Sequence, residues 1–260
     1  MTRLLEGKVA IVSGIGPGMG RDISLQFVEH GAKVVAGART KANVDALVDE
    51  LGADALGVQL DITDQESCDA AVRAAVERFG RVDVLVNNAF SDGDHRSFMS
   101  ADLDNWRSTM ETNFFGTLQL TRAVVPTMKE QGEGRLIMIN SMAAVDPQPR
   151  FGAYTGSKAA LASVVKTLAQ ELGPFGIRIN AVHPGYIWSD KQQMYFEYLA
   201  QRNGITYEEQ FESIAGTAPL RYLPHSSEIA GTVVFLASDL AKPITGQAIH
   251  VNAGHFLGGF

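Results

Sequence analysis

The sequence predicts one α/β domain built on a doubly wound parallel sheet of seven strands with helices on both faces. Three observations carry this. Strand-like and helix-like segments alternate from Lys8 onward, the strand-like runs are apolar without alternation, and a glycine-rich turn joins the first strand to the first helix. Unbroken apolar runs mark strands covered on both faces, and regular strand-helix alternation gives parallel strands joined by right-handed crossovers. Ligands of such sheets bind beyond the carboxyl ends of the strands.

Composition agrees with this class. The 260 residues are 45% hydrophobic and 20% charged, with no charge block or low-complexity run that would act as a linker, so residues 1–260 read as a single domain. A formal net charge of −7 argues against a general nucleic-acid surface. The opening MTRLLEGKVAIVSG lacks a long apolar run behind basic residues, and no apolar stretch reaches membrane-spanning length, so a soluble cytoplasmic protein is expected. Cys68, the one cysteine, fits a reducing compartment and reads as a small core residue. His30, His95, His183, His225, His250 and His255 lack the spacing of zinc ligands, and no metal site is expected.

The first strand is Lys8 to Ser13, followed by Ser13-Gly14-Ile15-Gly16-Pro17-Gly18-Met19-Gly20 and a helix from Arg21 to His30. Glycines permit the tight turn and close backbone approach, and the open N–H groups of a helix start can hold a pyrophosphate. The second strand, Lys33 to Ala38, ends in Arg39-Thr40 and not in the Asp or Glu that accepts from ribose hydroxyls. A guanidinium there can fork onto a 2′-phosphate, which predicts NADP(H) in preference to NAD(H). A helix over Lys41 to Leu51 leads to the third strand, Ala55 to Leu60, whose last neighbour Asp61 either meets an adenine amino group or caps the next turn. Thr63-Asp64-Gln65-Glu66 has the capping-box pattern and starts a helix to Phe79. The fourth strand, Val82 to Val86, delivers Asn87-Asn88-Ala89 to the ligand edge.

The long segment Leu103 to Gln131 is read as helical and carries Asn113 within it, and the fifth strand, Arg135 to Asn140, presents Ser141. In the predicted helix Tyr154 to Leu172, Tyr154 and Lys158 are four residues apart and share a face. A neighbouring ammonium favours the phenolate, so the phenol is expected to titrate below its usual value of about 10. The apolar faces of this helix are expected to meet a second subunit as well as the sheet. The sixth strand, Arg178 to His183, ends in Pro184-Gly185. Trp188 to Leu220 is spaced as two short amphipathic helices without a core of their own, and is the predicted substrate lid. Its aromatics imply a bulky, apolar or cyclic substrate. Ser226 to Ala237 is the last helix and Ala248 to Val251 the last strand, leaving a tail with Phe256 and Phe260 that is expected to reach a neighbouring subunit's pocket.

The glycine turn, Asn87-Asn88-Ala89, Asn113, Ser141 and Tyr154-x-x-x-Lys158 follow one another between Gly7 and Gly254 in the order of one family. The chain resembles the short-chain dehydrogenase/reductases, the single-domain type similar to 3-oxoacyl reductases and hydroxysteroid dehydrogenases. The resemblance implies a Rossmann-type fold, hydride exchange between a nicotinamide cofactor and a ketone or secondary alcohol, and a homotetramer or homodimer. It implies a cofactor site of Ser13 in the family's Thr position, Gly14, Gly16, Gly18, Met19, Gly20, Arg39, Thr40, Asp61, Ile62, Asn88, Ala89, Tyr154, Lys158, Pro184, Gly185, Ile187 and Ser189. It implies Tyr154 as acid-base, Ser141 as hydrogen-bond donor to the same oxygen, Lys158 as partner of both phenolate and ribose, and Asn113 as a relay through a water on its carbonyl. Phe90 stands where the family usually has Gly, so the Ser91 to Ser100 loop is expected to take a different path and to present Phe90 or His95 to substrate. Trp188 and Tyr195 are the candidates from the lid. Two other readings stand beside this one: an NAD-dependent dehydrogenase of hydroxysteroid-like or cyclic alcohols, and a catalytically silent nucleotide-binding sensor or scaffold. Retention of Ser141, Tyr154 and Lys158 speaks against the second.

Overall fold

The computed structural model describes residues 3–258. Seven strands, β1 (Val9–Ser13), β2 (Lys33–Ala38), β3 (Ala55–Gln59), β4 (Val84–Asn87), β5 (Gly134–Ile139), β6 (Ile177–Pro184) and β7 (Ala248–Val251), form one sheet in the order β3-β2-β1-β4-β5-β6-β7. Every pairing is parallel. The order reverses between β1 and β4, which opens a crevice at their carboxyl ends, as parallel sheets of this topology do. Strand ends differ from the sequence expectation by at most two residues, the usual play of fraying termini.

The absence of alternation in the strands has its cause in two cores. On one face α1 (Met19–Glu29), α2 (Lys41–Leu51) and α9 (Ser226–Ala237) bury Ile23, Phe27, Val44, Leu47, Ile229 and Val233 against Val12, Val34 and Val86. On the other, α3 (Gln65–Phe79), α5 (Thr117–Gln131) and α6 (Gly152–Leu172) bury Cys68, Val72, Leu120, Val124, Leu161 and Val165 against Ile11, Leu85 and Ile179. Cys68 is wholly buried, and burial with nearby carboxylates pushes its thiol up to about 12.

Three local expectations are corrected. The predicted capping box at Thr63 does not form: Asp64 is the cap of α3, its Oδ2 accepting from Ser67 N at 3.0 Å, while Thr63 Oγ1 donates to Asp61 Oδ1 at 2.7 Å. A carboxylate is an equally good acceptor for that N–H, and Asp61 draws the hydroxyl away. The segment Leu103 to Gln131 is not one regular helix, because α4 (Leu103–Met110) and α5 are joined by a π-helical stretch, Glu111–Gly116, around Asn113. Finally, the lid has a core of its own. Its helices α7 (Asp190–Asn203) and α8 (Tyr207–Ala215) bury Phe196 and Ala215, with Leu223, under Trp188, Tyr207, Phe211 and Ile214. A capping box does form here, with Thr206 Oγ1 accepting from Glu209 N at 3.1 Å and Glu209 Oε2 accepting from Thr206 N at 2.8 Å. No helix among the described residues is long and apolar enough to cross a membrane. The tail is described as far as residue 258; Phe260 lies outside the described residues.

Candidate active site

The turn between β1 and α1 is held open by what its glycines lack. A Cβ on Gly14 would lie 2.5 Å from Ala89 Cα, and one on Gly20 would lie 2.3 Å from Gly14 O, so these backbones touch only because both positions are glycine. Asn88 Nδ2 donates to Gly14 O at 2.6 Å and fixes the turn to the end of β4. Gly18 caps α1 at φ 108 with no side chain on the first N–H groups, and a Cβ at Gly16 or Gly18 would meet nothing within 4 Å. Open N–H groups above a side-chain-free floor fit a pyrophosphate.

Two adjoining cavities share Gly14, Gly16, Asn88 and Phe90. The first, of about 260 Å³, is also lined by Arg39, Thr40, Asp61, Ile62 and Ala89. The second, of about 390 Å³, adds Gly18, Met19, Gly20, Ser141, Tyr154, Lys158, Pro184, Gly185, Ile187 and Ser189. Together they fit the two ends of a dinucleotide. Ser13 is not among the lining residues: it is wholly buried, donating to Val86 O and accepting from Asn88 N, both at 3.3 Å, which ties β1 to β4. Asp61 is half-buried, which raises its carboxyl, yet hydrogen bonds from Thr63 and the charge of Arg39 prevail and hold it below the usual carboxylate value. Ser189 Oγ accepts from Gln192 N at 3.2 Å and caps α7.

Ser141 leaves β5 at the mouth of the second cavity, with its Oγ accepting from Ala143 N at 3.1 Å. One turn apart on α6, Tyr154 faces Ser141 and Lys158 lies deeper, only 3% exposed, with Nζ donating to Ile139 O at 2.8 Å. Nζ stands 5.6 Å from the Tyr154 ring centre and 5.9 Å from that of Phe90. The expected lowering of the phenol is not found. Burial raises Tyr154, helped by Asp92, and outweighs the opposing hydrogen bond from Ser141. Burial also brings Lys158 down to about 7, so its cation is itself costly at this depth.

Asn113 acts on this pair from behind. Its Oδ1 accepts from Ser91 N at 2.7 Å, and its Nδ2 donates to Ser91 O at 2.8 Å and to Ser157 Oγ at 2.9 Å. Ser157 in turn donates to Tyr154 O at 2.7 Å. The Asn113 carbonyl accepts from Thr117 Oγ1 at 3.0 Å.

A third cavity, of about 350 Å³, opens on the far side of Ser141 and Tyr154 and is walled by Met142, Ala143, Asp146, Gln148, Pro149, Phe151, Gly185 and Tyr186. Of the four residues predicted to meet substrate, Phe90 is near the reacting groups, 57% exposed, its ring edge-on to Tyr154 at 6.3 Å. Phe90 lines the first two cavities and not this one, and the other three line none of them. His95 stacks on Phe151 at 4.3 Å, Trp188 is packed against Phe196 and Phe211 inside the lid, and Tyr195 is 52% exposed on α7. The sequence reading missed Asp146, Gln148, Phe151 and Tyr186. Their signal was position: three lie between Ser141 and Tyr154, and Tyr186 follows Gly185 directly. Among the described residues no three His, Cys, Asp or Glu side chains group to hold a metal ion.

Comparison with known proteins agrees with this geometry. A family model described as enoyl-(acyl carrier protein) reductase matches residues 14–255. The 3-oxoacyl-[acyl-carrier-protein] reductase FabG of Escherichia coli K12 is 34% identical over 252 residues, covering 97% of this chain and 98% of the relative. Its namesakes from Vibrio cholerae and from Staphylococcus aureus Mu50 are each 34% identical, over 253 and 254 residues. With a seven-stranded parallel sheet, a glycine turn at its switch point and Ser141, Tyr154 and Lys158 beside it, the chain belongs to the short-chain dehydrogenase/reductase family.

Proposed function

We propose that the protein interconverts a ketone and a secondary alcohol with a nicotinamide cofactor, NADP(H) in preference to NAD(H). One observation carries the reading: Ser141 and Tyr154 are the shared wall between the dinucleotide-shaped cavity and the 350 Å³ cavity beyond it. The carbonyl reduction named for the relatives is the same class of reaction. When bound, the cofactor supplies or accepts the hydride at the carbonyl carbon.

The chain's own groups handle the oxygen. Tyr154 gives its phenolic proton to the oxygen during reduction and takes one back during oxidation, while Ser141 donates a hydrogen bond to the same oxygen. Lys158, bonded to Ile139 O, has ammonium protons left to stabilise the phenolate and to hold ribose hydroxyls. Asn113 holds the Tyr154 turn through Ser157, and the π-helical stretch leaves its carbonyl room for a second donor, the water of the proposed relay. The Arg39 guanidinium, exposed at the rim of the first cavity, supplies a fork for a 2′-phosphate. Apolar walls from Met142, Ala143, Pro149, Phe151 and Tyr186 favour a bulky or cyclic substrate body. The protein is proposed to work as a homo-oligomer in the cytoplasm.

Fluorescence titration with NADPH and NADH, followed by a ketone panel with the better cofactor, tests the reading. Tyr154→Phe is expected to bind cofactor as the wild type does and to lose roughly 10²- to 10⁴-fold in turnover. Wild-type turnover by that variant would remove Tyr154 from the mechanism.

A further inference from the structure

The cavity beyond Tyr154 is lopsided in charge. Its lining is largely apolar; beyond Ser141 and the phenols of Tyr154 and Tyr186 its polar side chains are the half-buried Asp146 and Gln148, and no Lys, Arg or His lines it. Gln148 Nε2 donates to Asp146 Oδ2 at 3.4 Å, a long bond that leaves most of the carboxylate's acceptor capacity open. Arg150 sits between two lining residues, but it is exposed and held at φ 72, and it does not line the cavity. Beside Tyr154, Asp92 adds the same sign, while the Lys158 ammonium, 5.6 Å from the Tyr154 ring centre, does not line this cavity.

Two rings frame this carboxylate. Phe151 is held in place by His95 at 4.3 Å, and Tyr186 is fixed edge-on against His255 at 5.4 Å. Burial and the charge of Asp146 both push the Tyr186 phenol up, so the ring is neutral and the carboxylate is felt there. A carboxylate sharing a cavity with two aromatic rings is the chemistry that receives an organic ammonium: a ring face supplies cation–π attraction and the carboxylate the counter-charge. The same field repels an anionic substrate.

We propose that Asp146, framed by Phe151 and Tyr186, makes this cavity selective for ketones and alcohols that carry a cationic ammonium group at the end remote from the reacting carbon. The inference rests on the reading of the chain as a carbonyl reductase. It adds a specificity residue within a loop whose neighbours fix the reaction: Ser141 and Tyr154 set the chemistry, and Asp146 sets which molecule presents its carbonyl to them.

Three cyclohexanones of similar bulk test it: 4-(trimethylammonio)cyclohexanone, its uncharged isostere 4-tert-butylcyclohexanone, and 4-oxocyclohexanecarboxylate. The wild type is expected to favour the ammonium ketone over its isostere by roughly tenfold in kcat/KM and to use the carboxylate least. Asp146→Asn, which keeps the side-chain shape, should erase the ammonium preference, leave the tert-butyl ketone within about threefold, and keep NADPH affinity unchanged. Tyr186→Leu should weaken the ammonium ketone by a few-fold. Calorimetric titration of the same three compounds into the NADPH-loaded protein separates the two claims. If the ammonium ketone binds best through Asp146 but nothing is reduced, the reductase reading falls and the recognition stands. If the ketones are reduced with no charge preference, or with a preference that survives Asp146→Asn, the recognition falls and the reductase reading stands. Absence of both binding and turnover overturns the assignment of this cavity.

Discussion

Lys158 shows at the scale of one residue how far burial can override a neighbour. Its ammonium was expected to draw the phenol of Tyr154 down; instead desolvation moves the two groups in opposite directions, Lys158 down to about 7 and Tyr154 up. The consequence for stability has a definite sign. Between about 7 and the ordinary lysine value of 10.5 the unfolded chain carries a proton that the folded one has released, so stability from this group rises with pH across that window and is lost below it. Urea unfolding without cofactor should therefore show the wild type gaining on Lys158→Met as pH rises, by up to about 1.4 kcal/mol per pH unit. A difference that does not change with pH would place the lysine in contact with solvent. Arg39 offers a second residue-scale test: Arg39→Leu should weaken NADPH by roughly tenfold while sparing NADH, read by titration of both. Ser13 and Thr63 show what single-residue reading misses. Both hydroxyls are where the pattern expected them, and both are spent on neighbours, Val86 O and Asp61, that only the fold brings within reach.

Among the elements, the π-helical stretch and the lid carry the lessons. The stretch Glu111–Gly116 places Asn113 so that one amide holds both polar groups of Ser91 and the hydroxyl of Ser157. Its periodicity is indistinguishable from an ordinary helix over six residues, which is why the sequence showed only a long helical segment. Asn113→Ala leaves the Ser91 groups unpaired and should cost about 1–3 kcal/mol in denaturant unfolding, with turnover falling as the Tyr154 turn loosens. Of the lid's aromatics, Trp188, Phe196, Tyr207 and Phe211 pack into a core shared by its two helices, whereas Tyr195 and Tyr198 stay exposed. Phe196, wholly buried there, is the test: Phe196→Ala should cost about 3–5 kcal/mol locally and expose α7 and α8 to protease while the sheet stays protected in hydrogen exchange. Loss of sheet protection in step with the lid would make them one cooperative unit.

At the scale of the molecule, the sheet was legible because each strand is a short local signal and alternation alone dictates parallel order. The 350 Å³ cavity was not, since it forms where the Met142 to Phe151 loop meets Gly185 and Tyr186, residues that follow β5 and β6 or lead into α6. Association of subunits is also a whole-molecule property. The exposed stripe of α6, Gly156, Ala159, Ser163, Lys166, Thr167 and Gln170, is small or polar and not the apolar face expected, whereas Phe115 before α5 is 49% exposed. A homo-oligomer built on this side should be broken by Phe115→Asp, seen as a lower mass in sedimentation with the circular dichroism unchanged.

The strand order has a further meaning for a chain made from its amino end. β1 pairs first with β2, then waits on its other side until β4 has been synthesised, for β3 joins beyond β2. During that interval the nascent protein displays the bare edge of a strand that is buried throughout in the finished fold, and a glycine turn without its floor, because Ala89 and Asn88 have not arrived to meet Gly14. Open edges of this kind recruit other strands. A ribosomal pause between residues 14 and 88 is therefore expected to raise misassembly more than the same pause after β4, measured as the soluble fraction of the product.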